Sequence, residues 1–451
     1  MLNIYRRPSE FFHDIIKMAA GNIASRLIFF LGIPLVTVLY SPEDVQVYSV
    51  FQSILTTLLT VSCFRLEVAI PLAKNDNDAA NLGLCAIFVT VGISTCAYLL
   101  TLLVSKDLLL SLKIESLYQY LDLLPVGILI GGIGNNFQYI ATRSKRFNLL
   151  AITRAIQSLS TITFMLIIGS LYQSSSGLIL GSVIGLVACL SFTFQTGYKF
   201  LKSYVKTNEI ADCLKRHSSY IFFVAPSALI NHLGNTVPVL VVSSAVGVGA
   251  SFFFLGLSLM TTPVVLIGQA IGQSLIAHLV NEDSKGTLLR TLQDLITKII
   301  FFGCLPIVLV GVSAPLWVPL VLDIKYLPTA RVLQILCPSA ALSLLSYPLS
   351  SLLIHGQKAK KLTVVRCCNA TVKIIASVGC SFISSGNIVL VFGVISVITE
   401  LVCLFSCYGF KIEYRSILIN QTLKQLSIAC ALLITLASLF SVFHYTFAQL
   451  L

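Results

Sequence analysis

The sequence predicts an all-α, polytopic membrane protein with about 13 transmembrane helices, within a range of roughly 12 to 14. Three observations lead to this fold class. The 451 residues are 56% hydrophobic and only 11% charged, whereas soluble domains carry about 25% charged residues. Apolar runs of about 20 residues, the length that crosses the hydrocarbon core as a helix, recur along the whole chain. Lysine and arginine residues concentrate in alternate loops between these runs.

The predicted helices follow the apolar runs in chain order. They lie near residues 15–40, 45–64, 79–104, 121–142, 150–171, 177–198, 222–245, 249–275, 299–322, 331–354, 362–383, 387–409 and 426–448. The first residues are charged and amphipathic and have no apolar core with a small-residue cleavage site. We therefore expect that no signal peptide is removed and that the first span is retained.

The positions of the basic residues predict a cytoplasmic N-terminus. Of the 30 Lys and Arg residues, 22 fall in loops on the N-terminal side of the membrane. The opposite loops hold only Lys106, Lys113, Lys325 and Arg331. This asymmetry follows the positive-inside rule. The net charge of +12 therefore indicates membrane topology and not nucleic-acid binding.

An internal repeat predicts two six-helix bundles of parallel topology. Span 2 runs through Thr56 and Thr57 into the polar turn 74–78, and span 8 runs through Thr261 and Thr262 into the polar turn 281–283, an offset of about 205 residues. Duplicated bundles are typical of transporters, which handle substrate between the repeats. The predicted boundaries are 1–205 for the N-terminal bundle, 206–410 for the C-terminal bundle and 411–451 for an extra C-terminal helix.

The sequence contains no pattern typical of an enzyme or a metal site. Thirteen cysteines lie mostly inside apolar runs and form no CxxC pair, and the six histidines are scattered. No nucleophile elbow, HExxH motif or phosphate-binding glycine loop occurs. We expect neither catalytic activity, nor a cofactor, nor a bound metal.

Two hairpins carry a family resemblance. The first contains Tyr40-Ser41-Pro42-Glu43-Asp44, Val47-Tyr48-Ser49 and Arg65-Leu66-Glu67-Val68-Ala69-Ile70-Pro71-Leu72. The second contains Asn231, Asn235 and Pro238-Val239-Leu240, followed by Pro263 to Leu266 and Ile267-Gly268-Gln269-Ala270-Ile271-Gly272-Gln273. The chain resembles the Wzx-like polysaccharide-biosynthesis flippases of the multidrug/oligosaccharidyl-lipid/polysaccharide (MOP) exporter superfamily. It departs from that family's pattern at Gln46, where glycine is common.

This resemblance implies both a substrate and a location. The substrate would be an undecaprenyl-pyrophosphate-linked O-antigen, capsule or exopolysaccharide unit, moved to the outer leaflet of a bacterial inner membrane by alternating access. Membrane lipid, a polysaccharide polymerase and glycosyltransferases would be partners, and H⁺ or Na⁺ the coupling ion. A pyrophosphate needs a polar, preferably cationic, path because a buried bare charge costs several kcal/mol.

Charges inside the predicted spans are therefore the candidate site residues. Arg26 lies nine residues past Lys17, roughly 13 Å along the helix, and we expect it to contact phosphate with Asn22 one turn away. Arg65 and Glu67 lie at the cytoplasmic end of span 2. They either pair with each other or line the entrance to the cavity. Arg154 lies only eight residues from Arg146, so interfacial snorkelling is the favoured interpretation.

A second candidate set lies mainly in the C-terminal bundle, with further members in span 4 and at the end of span 2. Lys373 and Glu400 flank an outer turn and reach similar depths of roughly 18 to 21 Å, so we expect them to interact. The pair is either a static salt bridge or a coupling device in which Glu400 exchanges a proton or ion and frees Lys373 to bind the anionic cargo. Glu67 is the other candidate coupling residue. Asn231, Asn235 and Gln273, with Asn135, Asn136 and Gln269, either bond sugar hydroxyls or join helices.

Other functions remain open from the sequence. A multidrug antiporter shares the duplicated plan, but it favours an acidic, aromatic cavity for cations. A polymerase would need a large outer loop, and no outer loop here much exceeds about 16 residues. A structural scaffold would leave the charges at mid-membrane depth without a purpose.

Overall fold

The structure, a computed structural model, describes residues 8–111, 113–206, 210–281, 285–355, 359–383, 387–408 and 417–428. These residues form helices and no strand. They divide into two compact units. The first unit comprises the described residues of Met1–Phe254, Pro319–Tyr326 and Lys373–Ile388, and the second those of Leu255–Val318, Leu327–Val372 and Val389–Leu451.

Seventeen α-helices are named here in chain order. They are α1 Pro8–Leu39, α2 Pro42–Val61, α3 Leu66–Ala69, α4 Asp76–Leu103, α5 Lys106–Ser111, α6 Leu123–Arg143, α7 Phe147–Leu171, α8 Ser176–Tyr204, α9 Ile210–Arg216, α10 Ala225–Val246, α11 Gly249–Asn281, α12 Lys285–Ile299, α13 Leu305–Val312, α14 Ala314–Val321, α15 Pro328–His355, α16 Ala359–Ile383 and α17 Ile388–Cys407. Residues 417–428 are also helical.

The helices confirm the predicted multi-pass membrane fold. Ten of them are long and apolar enough to cross a membrane, and an eleventh crossing arises if α2 and the bent segment Leu66–Leu72 form one span. Helix α6 has 21 residues, long enough at about 1.5 Å per residue for a crossing. Twelve of the thirteen predicted spans thus fall on helices. The thirteenth, 426–448, lies largely outside the described residues, and the predicted boundaries at 205 and 410 stay predictions.

The start of α2 follows from its local sequence. The Ser41 side chain accepts a hydrogen bond from the Asp44 amide at 3.2 Å, and the Ser41 amide donates to the Asp44 carboxylate at 3.2 Å. Pro42 takes the first helical position, where a missing N–H costs nothing. This capping box fixes where α2 begins.

The end of α2 is a sharp break. Phe64 and Arg65 both have positive φ, 46° and 59°, a conformation that costs a non-glycine residue about 1 to 2 kcal/mol. The chain then bends by 48° into Leu66–Leu72. The break turns Arg65 and Glu67 away from the axis of α2.

Small residues set the helix spacing within the first unit. A Cβ atom at Gly181 of α8 would lie 2.9 Å from the Met165 backbone nitrogen, and one at Gly185 would lie 3.1 Å from the Gln157 carbonyl oxygen. Both contacts are with α7. These glycines allow α7 and α8 to pack closely, since only a hydrogen lets the backbones approach this closely.

Two proline residues explain two irregular helical turns. The π-helical segments Tyr220–Val224 and Ile300–Cys304 end two residues before Pro226 and Pro306. A proline ring displaces the carbonyl four residues earlier and lacks an N–H to bond it, so the helix widens locally.

Candidate functional site

Arg154 forms a polar junction between three helices of the first unit. Its guanidinium donates to the side-chain oxygen of Asn22 on α1 and, over 3.3 Å, to the Gln138 side-chain oxygen on α6. Arg154 itself belongs to α7 and is half-buried. The head group binds two amide side chains of neighbouring helices, and the interfacial snorkelling expected for Arg154 stays a prediction. Asn22, expected to act with Arg26, pairs with Arg154.

Arg26 occupies the next turn of α1 and is exposed. In the part of the chain that the structure describes, its guanidinium has no hydrogen-bond or ion-pair partner. Its charge acts electrostatically on Arg154. Among the described residues, Arg26 is thus a cation without a hydrogen-bond or ion-pair partner, on a membrane-crossing helix beside a second cation that its partners hold in place.

Arg65 and Glu67 form an ion pair at the break after α2. The Arg65 Nη1 and Glu67 Oε1 atoms are 3.7 Å apart, so the pairing interpretation describes this structure. Glu67 is only 5% exposed, and its Oε2 atom has no hydrogen-bond partner in the structure. The carboxylate is therefore incompletely compensated, which is costly for a buried charge.

Helix α10 brings one polar face against α2. His232 Nε2 lies 3.2 Å from Thr56 Oγ1, and Thr57 donates to Thr236 Oγ1 over 3.2 Å. His232 and Thr236 are one turn apart, so both contacts use one face of α10.

The adjacent face of α10 carries two exposed amides. Asn231 and Asn235 are one turn apart and both are exposed, which leaves them accessible for binding. Asn136, by contrast, is fully buried and donates to the Gly83 carbonyl at 2.7 Å. Asn136 therefore joins α6 to α4.

Tyr139 lies within electrostatic range of several of these charges. The charges of Arg65, Glu67 and Arg154 all act on it electrostatically, and that of Arg65 also acts on His232. We name the side chains of Arg26, Arg65 and Arg154 the arginine cluster. Helices α1 and α7 supply Arg26 and Arg154, the turn between α2 and α3 supplies Arg65, and Glu67 is the one acidic side chain among these interacting groups.

Helices α15, α16 and α17 of the second unit hold another polar group. Ser346 donates to Glu400 at 3.2 Å, and Asn369 donates to the Thr399 carbonyl at 2.8 Å. Arg366 donates to Ser350 at 3.1 Å and stacks over the Tyr347 ring at 5.9 Å. The sequence analysis missed Arg366, although a lone arginine inside an apolar run was the available signal. The Gln273 side chain lies outside the described residues.

The expected interaction of Lys373 with Glu400 stays a prediction. We expect the single reversals Lys373→Glu and Glu400→Lys each to reduce transport, because each leaves two like charges deep in the membrane. If the pair is structural, the double reversal restores both membrane level and flux. If Glu400 carries the coupling ion, the double reversal restores the level alone. Wild-type flux in both neutral variants, Lys373→Met and Glu400→Gln, would show that neither residue matters.

The described residues contain no group of three or more His, Cys, Asp or Glu side chains placed to hold a metal ion.

Comparison with known protein families and with curated proteins finds no match. Solved structures do match. The lipid II flippase MurJ in an inward closed conformation aligns with a TM-score of 0.69 and 15% identity, over 93% of each chain. An inward-facing MATE-family multidrug resistance transporter of the MOP superfamily gives 0.61 and 15%, over 90% of this chain and 95% of its own.

A variant of the Vibrio cholerae MATE transporter VcmN gives a TM-score of 0.55 and 15% identity, over 89% of this chain and 96% of its own. Identities this low establish the fold alone. The chain is a multi-pass membrane protein with the fold shared by the lipid II flippase MurJ and the MATE transporters of the MOP superfamily.

Proposed function

We propose that this protein is a flippase for undecaprenyl-pyrophosphate-linked oligosaccharides in a bacterial inner membrane. It moves O-antigen, capsule or exopolysaccharide units from the cytoplasmic to the outer leaflet by alternating access, with its N-terminus in the cytoplasm. The observation that carries this proposal is the arginine cluster of the first unit, with Arg26 and Arg154 on membrane-crossing helices and Arg65 in the turn after α2.

The chemistry of arginine suits a pyrophosphate cargo. Guanidinium groups are always charged and bind phosphate oxygens through two parallel N–H donors. A charge within a membrane helix is expensive and by default faces a cavity or a partner. Arg154 is held in position by its hydrogen bonds to Asn22 and Gln138. The Arg26 guanidinium has no hydrogen-bond or ion-pair partner among the described residues. Arg26 therefore makes the first contact with phosphate, and Arg154 supplies fixed positive charge behind it.

A multidrug cation antiporter is the alternative function. The likeness to MATE transporters supports it, and the buried Glu67 carboxylate provides an acid. The charge balance favours the flippase, since three arginines against one glutamate repel a cationic drug and attract an anionic lipid.

A binding experiment with purified protein in nanodiscs separates the two functions. The probes are farnesyl pyrophosphate and the cationic dye ethidium. We expect farnesyl pyrophosphate to bind, ethidium not to compete, and affinity to fall as salt is raised, because salt screens the accessible charges. Binding of ethidium without binding of farnesyl pyrophosphate would overturn the flippase proposal.

Coupling is assigned to Glu67 in the first unit and Glu400 in the second, with H⁺ or Na⁺ as the ion. We expect Glu67→Gln to keep farnesyl pyrophosphate binding and to remove the stimulation of flux by an imposed pH gradient, because the amide cannot exchange a proton. Asp122→Asn, a neutral replacement of an exposed acid just before α6, is the matched control. If proteoliposomes containing Glu67→Gln respond to the pH gradient as wild type does, Glu67 does not carry the proton.

The partners of the proposed pathway are a polysaccharide polymerase and glycosyltransferases. Deletion of the gene is expected to trap lipid-linked oligosaccharide in the cytoplasmic leaflet.

A further inference from the structure

A small polar cavity lies within the first unit, between α1, α2, α7 and α8. Its volume is about 210 Å³. Its polar lining residues include Ser25, Tyr48, Gln52, Ser158 and Ser182. All four helices contribute at least one hydrogen-bonding side chain. A polar cavity of this kind is unusual in a membrane helix bundle, because each unsatisfied polar group there is costly.

The wall of this cavity carries no charge. Its polar groups are hydroxyls and carboxamides, so it is not built to neutralise an ion. Ser25 and Ser158, both in the wall, share a hydrogen bond of 2.5 Å. Among the described residues, the Gln52 Oε1 atom has no hydrogen-bond partner, and the terminal torsion of a glutamine is soft enough to aim this oxygen at an incoming donor. The wall therefore suits a neutral occupant that both donates and accepts hydrogen bonds.

The cavity is adjacent along three helices to the site proposed for the pyrophosphate. Ser25 directly precedes Arg26, and Ser158 lies four residues after Arg154. Gln52 lies four residues before Thr56, whose hydroxyl contacts His232. Four residues of helix correspond to about 6 Å. A group attached to a pyrophosphate bound at Arg26 is thus within reach of this cavity.

The volume matches a single six-membered ring with substituents. An apolar cavity of about 150 Å³ holds one benzene molecule, and this cavity is larger by roughly the space of a few substituents. It is too small for an oligosaccharide.

We propose that this cavity binds the first sugar ring of the cargo, the ring joined to the pyrophosphate, through its hydroxyl or acetamido groups. This inference rests on the proposed flippase function. The first unit then recognises two features of the cargo: it binds the pyrophosphate through positive charge and the neighbouring sugar through hydrogen bonds from uncharged side chains.

The test compares two probes on the full-length protein in nanodiscs. They are farnesyl pyrophosphate and the same lipid carrying one N-acetylglucosamine on its pyrophosphate. We expect wild type to bind the sugar-bearing probe about tenfold more tightly, the contribution of one or two net hydrogen bonds. Gln52→Leu should abolish this preference and leave the affinity for farnesyl pyrophosphate unchanged. Ser158→Leu, which fills the cavity, should do the same.

Matched controls make each outcome decisive. Gln195→Leu, the same change at an exposed position of α8, should keep the preference. Equal binding of the two probes by wild type, or an equal loss of both in Gln52→Leu, overturns the sugar assignment while the flippase proposal stands. A requirement for Na⁺ that Gln52→Leu removes would identify a cation site instead and also overturn it. If neither probe binds wild type, the flippase proposal fails and this inference fails with it.

Discussion

Arg26→Ala is expected to lower lipid-linked oligosaccharide flux at least about tenfold, since one charge-assisted hydrogen bond to phosphate contributes at least that much. The reason is the combination of an exposed guanidinium and the lack of a partner for it among the described residues. Removal of the Arg26 side chain breaks no hydrogen bond or ion pair among the described residues. The level of protein in the membrane should therefore not change. Flux is measured by surface polysaccharide at native expression and by lipid translocation in proteoliposomes.

Two variants control this prediction. Arg26→Lys should retain partial flux, because the positive charge persists and no described side chain holds the Arg26 head group in one orientation. Arg331→Ala, at an exposed arginine near the start of α15, should behave as wild type. Normal surface polysaccharide from Arg26→Ala at native expression would show that Arg26 does not contact the cargo.

Arg154→Met is expected to reduce both flux and thermal stability. The substitution removes the donors to Asn22 and Gln138, leaving two amide oxygens without a donor inside the helix bundle, at about 1 to 3 kcal/mol for each buried unsatisfied group. Arg154→Lys should rescue poorly, because an ammonium on one flexible stem does not reproduce the planar fork that reaches two helices. This contrasts with Arg26, where lysine is expected to serve in part.

A double-mutant cycle tests whether Arg154 acts through Asn22. Asn22→Ala and Arg154→Met should be strongly non-additive in the melting temperature of the detergent-solubilised protein, since either change breaks the same junction. Gln195→Leu combined with Arg154→Met should be additive, because Gln195 is exposed on α8 and takes no part in the hydrogen bonds of Arg154 to Asn22 and Gln138. Additive effects of the Asn22 and Arg154 substitutions would mean that their bond contributes nothing to stability.

Most of the fold was predictable from the sequence. Twelve predicted spans coincide with helices because a membrane leaves little alternative: about 20 apolar residues without access to water must satisfy their backbone groups internally. The glycines of α8 were also predictable, since small residues at helical spacing define one face whatever packs there. The break at Phe64 and Arg65 was not predictable, because no glycine marks two consecutive residues of positive φ.

The candidate site was only half predictable, and Asn22 shows why. Periodicity along α1 correctly placed Asn22 and Arg26 one turn apart, but the partner of Asn22 is Arg154, 132 positions away on α7. The polar cavity likewise combines hydroxyls and amides from four helices, none of which is notable in its own segment. The sequence by itself determined that the chain spans the membrane, where its helices run and which residues carry intramembrane charge, because hydropathy and helical period are properties of a single segment. Only the tertiary structure decided which charges are paired and which are accessible, because pairing depends on which helix packs against which. Hydropathy does not determine that packing, since the apolar surface that drives each segment into lipid is nearly the same on every spanning helix.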